Sequence, residues 1–107
     1  MTIHDQVGFD ENGFMLNPYE WTPDVGKAIA ESLGLDGIGH LQARVIEFLR
    51  EHYLSMDAVP PAEEVCHAID LEARCIRDLF ESYENAWKVA GLPDPGMPLR
   101  ELMEDAG

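Results

Sequence analysis

One amphipathic stretch, HLQARVIEFLREHYLSM at residues 40–56, constrains the fold more than any other part of the sequence. Its apolar side chains recur three and four positions apart, which places them on one face of an α-helix. A helix with such a wide apolar face must bury it, so we expect this element at the centre of a helical bundle. The predicted core comprises Leu41, Val45, Ile46, Leu49, Ile76, Leu79 and Phe80.

Prolines and glycines mark the elements that precede this helix. The Asn-Gly pair within VGFDENGFML favours a tight turn, which predicts a small β-hairpin within residues 3–16. Asn17 and Thr22 each stand before a proline, a pairing typical of a helix cap followed by the first helical residue. The second of these helices should stop at Gly34.

Three shorter helices are predicted after the central one. PAEEVCHAI at 61–69 follows a proline pair, LEARCIRDLFESY at 71–83 can be capped by Asp70, and ENAWKVA at 84–90 stops at Gly91. The predicted fold class is therefore mainly α. We expect a single domain over residues 1–107, an orthogonal bundle of five or six helices with a helix-turn-helix-like pair and an N-terminal hairpin.

The charge of the chain limits its partners. Twenty-one acidic residues against seven basic ones give a formal net charge of −14. A field of that sign repels phosphate backbones and anionic lipid headgroups, so we expect neither nucleic acid nor a membrane as a partner. The sequence begins with no basic or apolar leader-like run, and no stretch approaches the length of a membrane span. We therefore expect a cytoplasmic protein with reduced cysteines.

The residues that could carry chemistry form no complete motif. Cys66 and Cys75 lie nine positions apart, match no metal-binding or redox spacing, and fall within apolar helix faces, so we expect buried thiols without reactivity. Glu64 and His67 have the spacing of half a carboxylate-bridged metal site, but no second copy is present. We expect no metal and no cofactor. A helix-turn-helix regulator remains an alternative, which the charge opposes.

Four ordered stretches carry a resemblance that spans nearly the whole chain. They are DENGFMLNPYEWT, VIEFLREHYL, PPAEEV and KVAGLPDPG, and together they resemble the DsrC/TusE family of sulfur-relay proteins. The residues that match the family pattern are Asp10, Gly13, Phe14, Trp21, Phe48-Leu49-Arg50, Pro61-Ala62 and Ala90 to Pro95.

The resemblance implies a C-terminal arm that carries sulfur. In this family a penultimate cysteine on a mobile arm accepts sulfur as a persulfide and passes it on, towards tRNA thiolation or to and from dissimilatory sulfite reductase. Some members have a second cysteine just before the Ala-Gly-Leu-Pro motif. An exposed thiolate on a flexible tether suits that chemistry, because the thiolate is the nucleophile.

This sequence departs from the family pattern where the sulfur would be carried. Trp87 occupies the position of the second cysteine, and Pro98 occupies that of the terminal cysteine, or Met97 if the arm is shifted by one. Glu64 stands where the family has an arginine. The resemblance therefore predicts a family scaffold without the reactive thiol, which argues against an enzymatic role.

Two functional hypotheses follow from this departure. The first is a non-thiol accessory or regulatory protein that binds a protein partner of a sulfur-transfer or sulfite reductase system. The second is a sulfur carrier that uses Cys66 or Cys75. The sequence leaves the partner, the pathway and the oligomeric state open.

The arm is predicted to be an extended linker over residues 92–98, because its prolines and glycines oppose a helix. The region from 92 to 107 would then form the arm and an acidic tail, with Leu99, Leu102 and Met103 on one edge of a short helical turn. The expected partner-binding residues are Gly91, Leu92, Pro93, Pro95, Gly96, Met97 and Leu99.

Overall fold

The computed structural model describes residues 8–96, and this part of the chain is mainly helical, as the sequence predicts. A 3-10 turn at Pro18–Glu20 is followed by five α-helices. These are α1 (Pro23–Ser32), α2 (His40–Met56), α3 (Ala62–Ala68), α4 (Cys75–Phe80) and α5 (Tyr83–Val89). No helix among these residues is both long enough and apolar enough to cross a membrane.

The predicted helix starts are confirmed at the level of hydrogen bonds. The Asn17 side chain accepts from the backbone N–H of Tyr19 at 3.0 Å, and Thr22 Oγ1 accepts from that of Val25 at 3.2 Å. These bonds satisfy backbone donors that the first turn of a helix leaves without partners. Gly34 follows the C-cap residue of α1, Leu33, and has φ +85°, as a helix-ending glycine should.

All five helices contribute buried side chains to one core. Of the seven predicted core residues, five are fully or almost fully buried: Val45, Ile46, Leu49, Ile76 and Phe80. Leu79 is half-buried against the edge of this cluster. The prediction is wrong for Leu41, whose side chain is 39% exposed. It belongs to the first turn of α2, and the buried stripe begins one turn later at Val45.

The predicted helix over residues 71–83 is wrong at both ends. Asp70 does not cap it, because its φ of +60° is left-handed, and α4 begins only at Cys75. At the other end Glu81 has φ +73° and closes α4, while the Ser82 side chain caps α5 by accepting from the N–H of Asn85. Left-handed residues interrupt a right-handed helix, so the predicted helix is shortened to Cys75–Phe80, while the separate helix predicted at 84–90 is confirmed as α5.

The expectation of reduced cysteines is also wrong, because Cys66 and Cys75 form a disulfide with their Cα atoms 5.8 Å apart. The predicted burial of both residues is confirmed. This bond ties the end of α3 to the start of α4, and the N–H of Leu71 donates to the carbonyl of Cys66 at 2.8 Å. Residues 71–74, which the sequence predicts as helix, lie between the two cross-linked helices and include a turn at 73–74.

The N-terminal hairpin is not shown. Among residues 8–96, one isolated antiparallel bridge joins Phe9 to Met15, and no named strand is present. The intervening turn is stabilised by Asp10 Oδ1, which accepts from the N–H groups of Asn12 and Phe14, while Gly13 has φ +91°. The rest of the predicted hairpin, residues 3–7, lies outside the described residues.

Candidate functional site

The C-terminal end of α5 forms a compact stop, which we name the arm root and define as residues 89–93. The N–H of Gly91 donates to the carbonyl of Lys88 at 3.0 Å, and that of Leu92 donates to the carbonyl of Trp87 at 3.3 Å. With Gly91 at φ +72°, this pair of bonds is the Schellman arrangement that ends many helices. The accompanying apolar residue, Leu92, is completely buried.

Trp21 holds the arm root from the N-terminal side of the fold. Its indole Nε1 donates to the carbonyl of Val89 at 2.9 Å. The ring packs so closely that a Cβ on Gly91 would overlap its Cγ, Cδ1 and Cβ atoms, and a Cβ on Gly26 would lie 2.7 Å from its Cζ2. Only glycine therefore fits on either side of this ring.

Arg50, on α2, holds the same segment through its guanidinium. One nitrogen donates to the carbonyl of Ala90 at 2.9 Å, and the other donates to the carbonyl of Pro18 at 2.9 Å. The guanidinium carbon lies 4.6 Å from the centre of the Trp21 ring, within the range of a cation–π interaction. Burial lowers the pKa of Arg50 from its ordinary value. One side chain thus joins α2, the 3-10 turn and the arm root.

Trp87 contributes a third contact to the arm root from within α5. Its side chain is fully buried, and its Nε1 donates to the carbonyl of Pro93 at 2.7 Å. The rings of Tyr53 and Tyr83 meet it edge-on at 5.4 and 6.2 Å. The residue at the expected position of the second family cysteine is therefore a structural element of the core.

These contacts shift the start of the predicted linker. Leu92 is buried, and the carbonyl of Pro93 accepts a hydrogen bond from Trp87. Both residues therefore belong to the helical body, and the extended linker predicted over residues 92–98 does not begin at Leu92. Pro95 and Gly96 are half-exposed, and the N–H of Gly96 donates to Asp94 Oδ1 at 2.8 Å. The remaining predicted arm and tail residues, including Met97, Pro98 and Leu99, lie outside the described residues.

The candidate nucleophiles do not form a reactive site. Accepting a persulfide sulfur requires a thiolate, and Cys66 and Cys75 are bonded to each other and buried. The sequence contains only these two cysteines. Glu64 and His67 are exposed on α3, and residues 8–96 contain no group of three or more His, Cys, Asp or Glu side chains placed to hold a metal.

Sequence reasoning included Trp21 and Arg50 among the family motifs but assigned them no role. Their partners lie far along the chain: Trp21 is 68 residues from Val89, and Arg50 is 40 residues from Ala90. The motifs stand in this sequence in the order of the family pattern that it resembles, and that order was the available signal that they belong together. Local patterns could not show that they meet at the arm root.

The comparisons with known proteins agree on one family. A family model described as "DsrC like protein" matches residues 2–98. The gamma subunit of dissimilatory-type sulfite reductase from Nitratidesulfovibrio vulgaris (strain Hildenborough) is 30% identical over 88 residues, which cover 80% of this chain and 84% of that protein.

Solved structures show the same fold. A chain in the crystal structure of dissimilatory sulfite reductase I (DsrI) matches with a TM-score of 0.76 and 26% identity, covering 84% of this chain and 88% of that one. The oxidized gamma subunit (DsrC) from Archaeoglobus fulgidus matches with a TM-score of 0.73 and 24% identity over 84% of this chain and 90% of that one. The protein described here belongs to the DsrC-like family.

Proposed function

We propose that this protein is a non-thiol accessory or regulatory partner in a dissimilatory sulfite reductase or related sulfur-transfer system. The observation that carries the proposal is the arm root. Trp21, Arg50 and Trp87 hold three successive parts of it by side-chain hydrogen bonds, although no cysteine follows residue 75.

Such an anchor gives the following segment a defined point of departure from the body. Each of the three bonds ends on a backbone carbonyl, so they constrain the path of the chain whatever side chains follow. An anchored segment loses less conformational freedom on binding than a free one, which favours affinity. The proposed role of residues 94–107 is therefore to reach a partner surface and dock there without transferring sulfur.

The relatives suggest the kind of partner. One is named as the gamma subunit of a dissimilatory-type sulfite reductase, and another belongs to a dissimilatory sulfite reductase structure. A family body with a different arm could occupy the same surface on the enzyme. The sulfur-carrier hypothesis would require the disulfide between Cys66 and Cys75 to open inside the core, which its burial opposes.

A binding measurement with a purified dissimilatory-type sulfite reductase tests this proposal. We expect the full chain to bind, and a variant that ends at Gly96 to bind at least about tenfold more weakly, a loss of about 1.4 kcal/mol. The melting temperature should change little, because every anchor of the arm root lies at or before Pro93.

A matched pair of substitutions separates the arm from the body. Met97→Ser with Leu99→Ser should weaken binding, whereas Leu54→Ser with Met56→Ser removes exposed apolar residues from α2 and should not. Failure of the full chain to bind would overturn the proposal. Equal binding by the variant ending at Gly96 would move the contact surface from the arm to the helical body.

A further inference from the structure

A groove of about 980 Å³ lies between α1, the loop at residues 36–38 and α2. We name it the α1–α2 groove. Trp21 and Arg50 line it and also donate to Val89 and Ala90, so the groove adjoins the arm root. The apolar side chains that line it are Trp21, Pro23, Ile38, Ala43 and Ile46.

Carboxylates dominate the rim of this groove. Four exposed acidic residues line it: Asp24, Asp36, Glu47 and Glu51. The basic residues that line it are Lys27 and Arg50, and the Arg50 guanidinium is directed at the carbonyls of Ala90 and Pro18. The groove thus offers an apolar floor and a negatively charged border, in a chain whose net charge is −14.

We propose that the α1–α2 groove binds a segment of a partner protein that combines apolar side chains with lysine or arginine. The apolar side chains would cover the floor, and the cations would face the four carboxylates, since complementary charge steers and orients association. This inference rests on the proposed function and deepens it by naming the chemistry of the partner segment and a second contact surface.

Charge argues against the alternative occupants. The tail of the same chain, residues 97–107, carries Arg100 against Glu101, Glu104 and Asp105, a net charge of 1 − 3 = −2. The four carboxylates of the groove would repel this negatively charged tail. A second copy of this chain would bring another −14, and a nucleic acid or an anionic lipid surface would also be repelled.

The position of the groove links its occupant to the arm. A segment seated there contacts Trp21 and Arg50, the side chains that donate to Val89 and Ala90. The partner would then be bound at two adjacent points, the groove and the arm. Two linked contacts bind more tightly than either alone, because the first raises the effective concentration for the second.

A synthetic peptide of leucine and lysine without tryptophan provides a suitable probe. Trp21 lines the groove, whereas Trp87 is fully buried, so a change in tryptophan emission reports groove occupancy. Titration of the full chain should give saturable binding at low salt. A peptide in which glutamate replaces lysine should not bind.

Charge-matched variants distinguish binding in the groove from a general attraction between the basic peptide and the acidic protein. Glu47→Gln with Glu51→Gln should weaken binding about fivefold, while Glu31→Gln with Glu72→Gln, exposed carboxylates outside the lining, should leave the affinity within about twofold. Ala43→Phe fills the apolar floor of the groove without changing its charge and should abolish binding of the peptide. Circular dichroism checks that each variant folds.

Equal losses in the two charge variants would overturn the inference, because the attraction would then be non-specific. A dimer in sedimentation experiments that the peptide dissociates would overturn it in favour of a second copy. The variant ending at Gly96 should bind the peptide as the full chain does. A failure of the arm proposal against sulfite reductase is therefore distinguishable from a failure at the groove.

Discussion

Single side chains from distant parts of the sequence hold the arm root. The Arg50 guanidinium can donate to two carbonyls at once, on Ala90 and Pro18, because its donors are held in a rigid planar fork. Lysine could not reproduce that geometry. Trp21 donates a hydrogen bond to Val89 and packs its ring against Gly91. The ring can approach this closely only because Gly91 carries no side chain.

The first prediction compares two glycines in the same segment. Gly91→Ala and Gly96→Ala both place alanine at positive φ, which costs about 1–2 kcal/mol. Only at Gly91 does the added Cβ meet Trp21; at Gly96 no atom lies within 4 Å. Urea unfolding should therefore show an additional loss of about 1–3 kcal/mol for Gly91→Ala. Equal losses of unfolding free energy in the two variants would mean that the Trp21 ring does not exclude a side chain at position 91.

The second prediction concerns Tyr83, whose buried hydroxyl donates to the carbonyl of Pro60 at 2.5 Å. Burial, and secondarily the nearby Glu64 carboxylate, raise the pKa of Tyr83 above its ordinary value of 10.0. The folded state therefore retains a proton that the unfolded state loses above pH 10, so stability falls as pH rises beyond that value. Unfolding at pH 8 to 11 should show this decline. In Tyr83→Phe, the part of the decline in stability that comes from the Tyr83 hydroxyl should disappear. An unchanged decline would show that Tyr83 is not its source.

At the scale of elements, α2 packs against α3, α4 and α5, and its two ends differ. The buried stripe runs from Val45 to Leu49, while Leu41 in the first turn is partly exposed. The Gln42 side chain closes that turn by accepting from the N–H of Gly39 and donating to the carbonyl of Leu79 at 2.7 Å. The start of α2 is therefore held by polar contacts and its middle by apolar packing.

The third prediction uses two leucines of α2. Leu49→Ala removes a completely buried side chain and should cost about 2–5 kcal/mol, since the core cannot fully close around the cavity. Leu41→Ala, at 39% exposure, should cost less than about 1 kcal/mol. Chemical denaturation of both variants measures the difference. Similar losses would show that the helix faces another way.

The fourth prediction concerns the disulfide between α3 and α4. Reduction should lower stability by roughly 2–3 kcal/mol, because the bond closes a loop of about ten residues. The Cys66→Ala, Cys75→Ala double variant should show no dependence on reductant. Two titratable thiols in protein that has been unfolded without reductant would contradict the cross-link.

Sequence reasoning identified the elements whose signals are local. The bounds of α2 and the caps of Asn17 and Thr22 follow from apolar spacing and from single side chains beside their own backbone. It failed at both ends of the helix predicted over 71–83, because left-handed Asp70 and Glu81 flank a shorter helix, α4 (Cys75–Phe80). The arm root could not be predicted, because its contacts join residues 40 and 68 positions apart.

At the scale of the whole molecule, the protein has the DsrC-like fold, and its two cysteines are joined in a buried disulfide within the helical body. Trp21 and Arg50 connect the arm root to the groove, because they donate to Val89 and Ala90 and also line the groove. The charge of −14 and the acidic rim are what a basic partner surface would recognise.

The most direct test of this account is the intact mass of the native protein after incubation with a persulfide donor, without reductant. A buried disulfide offers no thiolate to accept sulfur, so we predict no added sulfur mass on the folded chain. A cysteine-bearing family member, loaded in parallel, controls for the donor. A stable single-sulfur adduct that maps to Cys66 or Cys75 in the native protein would contradict the account and make this protein a sulfur carrier.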